Sequence, residues 1–305
     1  MRWFETPNFD FVSKRKIAYV ISGILLAISI GAIVTKGLQY GIDFKGGKEI
    51  VLKFEKAVDV TEIRSSLSDP LGSTPEVKLF GSESEVLIRT DNTNTIEEIE
   101  TVVRSTMSQL YPDNQAETEK TDSVGPRIAE DLKSGGLQAV IYSMIIIFVY
   151  ILIRFRKWTF SAGAVAALFH DVIITLGAFT LLSDVVNFSL LIDQNIIAAF
   201  LTIVGYSLND TIVIFDRFRE NSMKDLKISL TDLANLSLNQ TLSRTIITSL
   251  TTLMVVTILF FTGGEAIKYF AFALIIGVIV GTYSSMFIAS PFLLYFKSKM
   301  KTEEE

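Results

Sequence analysis

The chain has 305 residues, of which 49% are hydrophobic and 20% charged, and its mean hydropathy of +0.42 is beyond what a water-soluble domain of this size reaches. It has no cysteine and one histidine, which excludes thiolate catalysis, disulfide staples and metal sites built on cysteine or several histidines. A formal charge of −5 argues against a nucleic-acid partner, whose affinity would rest on clustered Lys and Arg. No catalytic residue, metal or cofactor is expected.

Six apolar stretches, at 17–35, 137–153, 160–182, 196–215, 245–262 and 266–290, each match the ~17 to 25 residues that cross a hydrocarbon core. The expected fold is a polytopic α-helical membrane protein of six transmembrane helices. The first stretch is read as an uncleaved anchor, because it is too long for a signal-peptide core and no small-x-small cleavage site follows. Lys and Arg cluster in the tail 1–16 (Arg2, Lys14, Arg15, Lys16), the loop 154–159, the segment 216–241 and the tail 297–305 (Lys297, Lys299, Lys301), whereas the loop 183–195 and the turn 263–265 have none. By the positive-inside rule both termini are cytoplasmic, and residues 36–136 are extracytoplasmic. Residues 137–296 hold helices 2 to 6 with short loops and the cytoplasmic 216–241 segment.

Residues 36–136 carry 12 basic and 19 acidic side chains, which a large translocated domain tolerates. Strand patterns at 48–54, 77–80 and 85–90, a weak one at 115–121, and helical spacing at 59–67 and 94–110 give the order β-α-β-β-α-β. That order is expected to make a ferredoxin-like α+β domain between helices 1 and 2.

Charge inside a bilayer costs ~2.5 to 3.5 kcal/mol even on the lenient insertion scale, so each such residue asks for a reason. Asp210 lies about 7.5 Å from the cytoplasmic end of the fourth span at 1.5 Å per residue. Thr202 and Tyr206 share its face, and Asn209 stands beside it. Arg244 opens the antiparallel fifth span at similar depth, so the two can meet directly or through water. A buried structural hydrogen bond for Asp210 and a snorkelling side chain for Arg244 are the plain alternatives. His170 and Asp171 sit at the middle of the third span and suggest proton handling; a polar packing contact is the alternative, and adjacent residues about 100° apart need not face one partner. In the sixth span Ala273, Gly277, Gly281, Ser285 and Ala289 recur every four residues, a small-residue ridge for close helix packing.

The string GYSLNDTIVIFDRFREN over 205–221 closely resembles the fourth-span hallmark of the SecF family of protein-export subunits. Further likenesses are YGIDFKGG at 40–47, VGP at 124–126, HD at 170–171 and NQTLSRT at 239–245, in the same order and across nearly the whole chain. The Asp-Phe-x-Gly-Gly element also recurs in SecD, but one modest external domain and this length favour SecF. Phe218 stands where the family pattern has Ile, an apolar exchange. The resemblance implies a half-transporter of the resistance-nodulation-division type in a bacterial inner membrane. A SecD-like subunit would supply the other spans beside the SecYEG channel, and protons and the proton-motive force would help draw an unfolded exported polypeptide across. It places the family's membrane acid at Asp210 and its arginine at Arg244. Membrane lipids are the remaining expected partner. A proton-driven small-molecule or lipid exporter and a passive membrane scaffold stand as alternative functions; the former would need a substrate pocket in a rather small external domain.

Overall fold

The computed structural model describes residues 7–183, 185–186, 188, 190–224 and 226–296. Arg2, Lys297, Lys299 and Lys301, and three positions of the 183–195 loop, lie outside the described residues. Among the described residues, six helices are long and apolar enough to cross a membrane.

The first, α1 (Arg15–Lys36), turns large aliphatic side chains outward and keeps Ala18, Ser22, Ser29 and Ala32 buried on its inner face. It ends at Gly37, whose φ of 73° suits glycine. A short helix α2 (Ile42–Lys45) leads into β1 (Gly47–Phe54), α3 (Val60–Leu71), β2 (Glu76–Phe80), β3 (Ser82–Thr90), α4 (Ile96–Leu110) and β4 (Ala116–Val124). The four strands form one sheet of order β2-β3-β1-β4 in which every neighbouring pair is antiparallel. Asp59 caps α3 by accepting from the Thr61 and Glu62 backbone N–H groups, and Thr95 with Glu98 forms a capping box on α4. Alternation along β1 and β3 turns Ile50, Leu52, Val86 and Ile88 onto Ile63, Leu67, Ile99, Val103 and Met107 of the two helices. On the opposite face Val51 and Leu87 pack on Leu191 from the loop before the fourth span. Tyr40, between α1 and α2, pairs with Ile192 of the same loop as an isolated parallel bridge, so that loop holds both the sheet face and the segment leading into it.

The remaining spans are α5 (Pro126–Phe155), α6 (Trp158–Leu182), α7 (Gln194–Ser222), α8 (Leu230–Thr262) and α9 (Glu265–Ser284), the last continuing through a π-helical turn at Ser285–Ala289 to residue 296. Helices run beyond the apolar stretches at two places. Helix α5 begins eleven residues before 137, with Pro126 in its first turn where no N–H is needed, so its first turns are a polar extension beyond the apolar stretch. The 216–241 segment is mostly helix, since α7 runs to Ser222 and α8 starts at Leu230 behind the Ser229 cap. Helix α6 is the most enclosed span, whereas α5 and α8 leave most of their surface uncovered. Phe218 is buried against Phe160 in a cluster with Phe155 and Phe215; an aromatic fills this corner where the family pattern has Ile.

Candidate proton-coupling site

Two carboxylates are buried among the membrane helices, and their surroundings differ. Asp171 on α6 is 1% exposed and its polar contacts are short. Its Oδ2 accepts from Ser207 Oγ of α7 at 2.6 Å and from Ser284 Oγ of α9 at 2.8 Å. Its Oδ1 lies 3.0 Å from His170 Nδ1, so the two neighbours do meet, through side chains that turn toward each other. His170 Nε2 is 3.1 Å from Ser22 Oγ of α1, Ser22 Oγ is 3.0 Å from the Tyr283 hydroxyl of α9, and Tyr283 donates to the Ala18 carbonyl at 2.8 Å.

Counting protons along this row is informative. Tyr283 spends its one proton on Ala18, so the Ser22 proton must serve the Tyr283 oxygen, and the Ser22 oxygen then needs a proton from Nε2. Every contact has a donor when Nε2 carries a proton and one more lies between Nδ1 and Asp171 Oδ1, on either atom. The order Ser22–His170–Asp171 has the look of a nucleophilic triad, yet Ser22 is 3% exposed and engaged by Tyr283, which leaves no room for an acyl substrate.

Asp210 on α7 is 3% exposed, but it has only one protein hydrogen bond among the described residues, from Ser249 Oγ of α8 at 3.4 Å. Ser249 is at the same time 2.7 Å from Thr282 Oγ1, and Thr282 donates its own proton to the Val278 carbonyl at 2.7 Å. Ser249 therefore has one proton and two acceptors, of which the nearer is Thr282. Asp210 is left weakly satisfied. Arg244 makes no ion pair among the described residues and is exposed, as are Asn209 and Thr202. Two buried hydroxyls without a partner flank this site in the chain: Tyr206, one turn before Asp210, and Thr245, next to Arg244.

The sixth-span ridge packs close to Ser207, which donates to Asp171. A side chain at Gly277 would run into Ile203 of α7, and a Cβ at Gly281 would come within 2.9 Å of Ser207 Cβ. Ser285 donates to the Gly281 carbonyl at 2.8 Å and to the Ser207 carbonyl at 3.2 Å, and accepts from Thr211 at 3.0 Å. The ridge packs inside the chain, on α7. Sequence reasoning missed Ser22, Ser207, Ser249, Thr282, Tyr283 and Ser284, since hydroxyls in membrane spans commonly bond their own helix. The one usable signal was the small-residue face of α1 at 18, 22, 29 and 32.

Comparison with known proteins decides the family. The family described as "Protein export membrane protein SecD/SecF, C-terminal" matches residues 102–299, and the SecD/SecF GG motif matches 31–58. The protein translocase subunit SecF of Rhodothermus marinus is 52% identical over 98% of this chain and 96% of its own length. The chain belongs to the SecF family. The SecF of Calditerrivibrio nitroreducens is 44% identical over 96% of both chains. Among solved structures, the translocon-associated membrane protein SecDF of Thermus thermophilus superposes with a TM-score of 0.84 at 34% identity over 97% of this chain. SecDF in its super-membrane-facing form gives a TM-score of 0.72 at 33% identity over 99%. The chain spans 40% of the length of either SecDF chain. It is a multi-pass membrane protein of the protein-export machinery.

Proposed function

We propose that the chain is the SecF half of a proton-driven export device, completed by a SecD-like subunit and acting beside SecYEG on an unfolded polypeptide in a bacterial inner membrane. Its role is mechanical and carries no catalytic step. Both termini face the cytoplasm. Residues 36–136 face outward, and their β-α-β-β-α-β order and β2-β3-β1-β4 sheet support a ferredoxin-like reading of that domain. Lipids surround the spans.

The observation that carries the reading is the incomplete site at Asp210: a buried carboxylate with one long hydrogen bond, beside an exposed Arg244 and Asn209 that make no hydrogen bond or ion pair through their side chains among the described residues. Unpaired polar groups on the outer surface of membrane helices are costly unless a second chain or water covers them. A SecD-like subunit placed there would bring Arg244 toward or away from Asp210 as the two halves move. Proximity of the guanidinium favours the carboxylate and separation favours its protonated form, so proton uptake and release follow conformation. A membrane potential supplies ~2.3 kcal/mol per charge per 100 mV to drive such a cycle. His170 and Asp171 take the complementary role: they hold a proton within the chain and set the position of α6 against α1, α7 and α9.

The test is export into vesicles that contain the chain, a SecD-like partner and the channel, with and without a proton gradient. Asp210→Asn keeps volume and removes the titratable proton; the partner should still copurify while the gradient no longer stimulates export. Gradient-stimulated export by this variant at the parent rate would refute the reading.

A further inference from the structure

A cavity of about 680 Å³ lies between α5 and α6. Its walls are apolar along their whole length: Leu137, Ile141 and Ile145 of α5 face Phe169 and Ile173 of α6, and Tyr40 and Phe44 close the end nearest the sheet. Leu137, Ile141, Ile145 and Phe169 are between 46% and 62% exposed, so the groove is open sideways to lipid. From Lys133 to Phe148 it follows α5 for fifteen residues, about 22 Å at 1.5 Å per residue.

The cation lies at one end only. Lys133 lines the rim with its ammonium 4.6 Å from the centre of the Tyr40 ring, and no carboxylate pairs with it among the described residues. It stands one helical turn before Leu137, where the apolar stretch of α5 begins, and this is the depth of lipid headgroups when residues 137–153 cross the hydrocarbon. An acyl chain below a phosphate fits both the apolar walls and the single cation at one end.

We propose that this groove binds one anionic phospholipid, with its phosphate on Lys133 and an acyl chain laid between α5 and α6. The occupant would also touch Tyr40 and Phe44, which belong to the segment joining α1 to the sheet. The site is separate from Asp210 and Arg244, and its test does not depend on export.

The full chain is extracted from vesicles of equimolar phosphatidylglycerol and phosphatidylcholine, washed in detergent, and its retained lipid is counted by mass spectrometry. The parent should retain one phosphatidylglycerol in preference to phosphatidylcholine. Lys133→Gln, a change at an exposed position, should lower that retention about fivefold, the worth of one basic side chain near an anionic surface. Val140→Phe fills the groove and should release both lipids. Equal phosphatidylglycerol retention by the parent and Lys133→Gln would overturn the proposal. So would efficient cross-linking of Ile141→Cys, in this otherwise cysteine-free chain, to a helix of a SecD-like partner, because that helix would then occupy the groove.

Discussion

Asp171 and Asp210 are two carboxylates at comparable burial in one helical bundle, and they are held in opposite ways. Around Asp171, helices α1, α6, α7 and α9 each present a hydroxyl or an imidazole, and the row of donors runs to its end within the chain. Around Asp210 a single serine is shared with a threonine, and the nearest cation faces outward. A closed site has one arrangement that satisfies every group, so it resists change; an open site is completed by something outside the chain, and its protonation can follow the arrival and departure of that partner. Burial alone does not separate a structural carboxylate from a working one. The number and length of its hydrogen bonds do.

The largest expected effect sets the two acids against each other. Asp210→Asn should reduce gradient-stimulated export on the order of a hundredfold, a typical loss when a positioned proton carrier is removed, with little change in melting temperature. Asp171→Asn leaves one acceptor oxygen where the carboxylate has two: with that oxygen kept on Ser207 and Ser284, its N–H₂ faces His170 Nδ1 and the proton held between the two side chains is lost. It should cost about 1 to 3 kcal/mol of stability, as expected for a buried group deprived of its partner. Thermal unfolding in detergent together with vesicle export measures both; an Asp171→Asn protein as stable as the parent would erase the distinction.

Next in size is the sixth-span ridge. Gly277→Leu must displace Ile203, and Gly281→Leu must displace Ser207, which donates to Asp171. Both overpack a tight helix contact, which typically costs about 1 to 3 kcal/mol. Because the ridge packs on α7 of the same chain, the loss should appear in thermal unfolding of the isolated subunit, before any partner is added. Variants that unfold normally alone but fail to bind a partner would move the ridge to the subunit interface.

Much of this was legible in the sequence, and the failures have physical reasons. Hydropathy found all six spans because lipid thickness sets the length of an apolar run. It marks only the apolar part of α5, because the helix carries on through Arg127, Glu130, Asp131 and Lys133, where helix geometry persists but the apolar signal stops. The strands at 48–54 and 85–90 fell within a residue or a few of β1 and β3, since alternation reports a half-buried strand directly. The acids were visible because charge in a membrane span is rare. Their hydrogen-bond partners were not, because Ser22, Ser249 and Ser284 look like any other serine in a span. The π turn at Ser285–Ala289 leaves no mark in the periodicity of small residues that crosses it.

Arg244→Lys probes the open site from its other side. The ammonium keeps the charge but loses the planar fork that suits a carboxylate, so gradient-stimulated export should fall about tenfold, near the worth of a charged hydrogen bond. If Arg244 and Asp210 act as a unit, the double variant Asp210→Asn with Arg244→Lys should be hardly worse than Asp210→Asn alone. Multiplied losses in the double variant would mean that the two residues work separately.

The smallest effect concerns how α8, the helix bearing Arg244 and Ser249, is held at its far end. Asn239 accepts from the Phe9 N–H and donates to the Phe9 carbonyl, both at 2.8 Å, while Asn235 accepts from the N–H groups of Phe11 and Val12 at 3.0 Å. Asp10 completes this strap by accepting from the Ser13 N–H at 3.1 Å and from the Asn235 amide at 2.8 Å. Those two bonds, the Ser13 backbone bond foremost, hold its carboxyl below the usual aspartate range. A depressed value in the folded chain means that the stabilisation is present above the ordinary aspartate pKa and is lost as pH falls through the lower, folded value. The strap should therefore be intact at neutral pH and loosen only in acid. Hydrogen exchange at the amides of Phe9, Phe11 and Val12, corrected for the intrinsic pH dependence, should show protection falling only as the pH drops below the ordinary aspartate value of about 4 in the parent, and a lower, flat profile in Asp10→Asn. Because α8 contributes Ser249 to Asp210 and nothing to the Asp171 contacts described above, loosening the strap should weaken export slightly and leave bundle unfolding unchanged. A fall in bundle stability on Asp10→Asn would mean that the closed site depends on α8 as well.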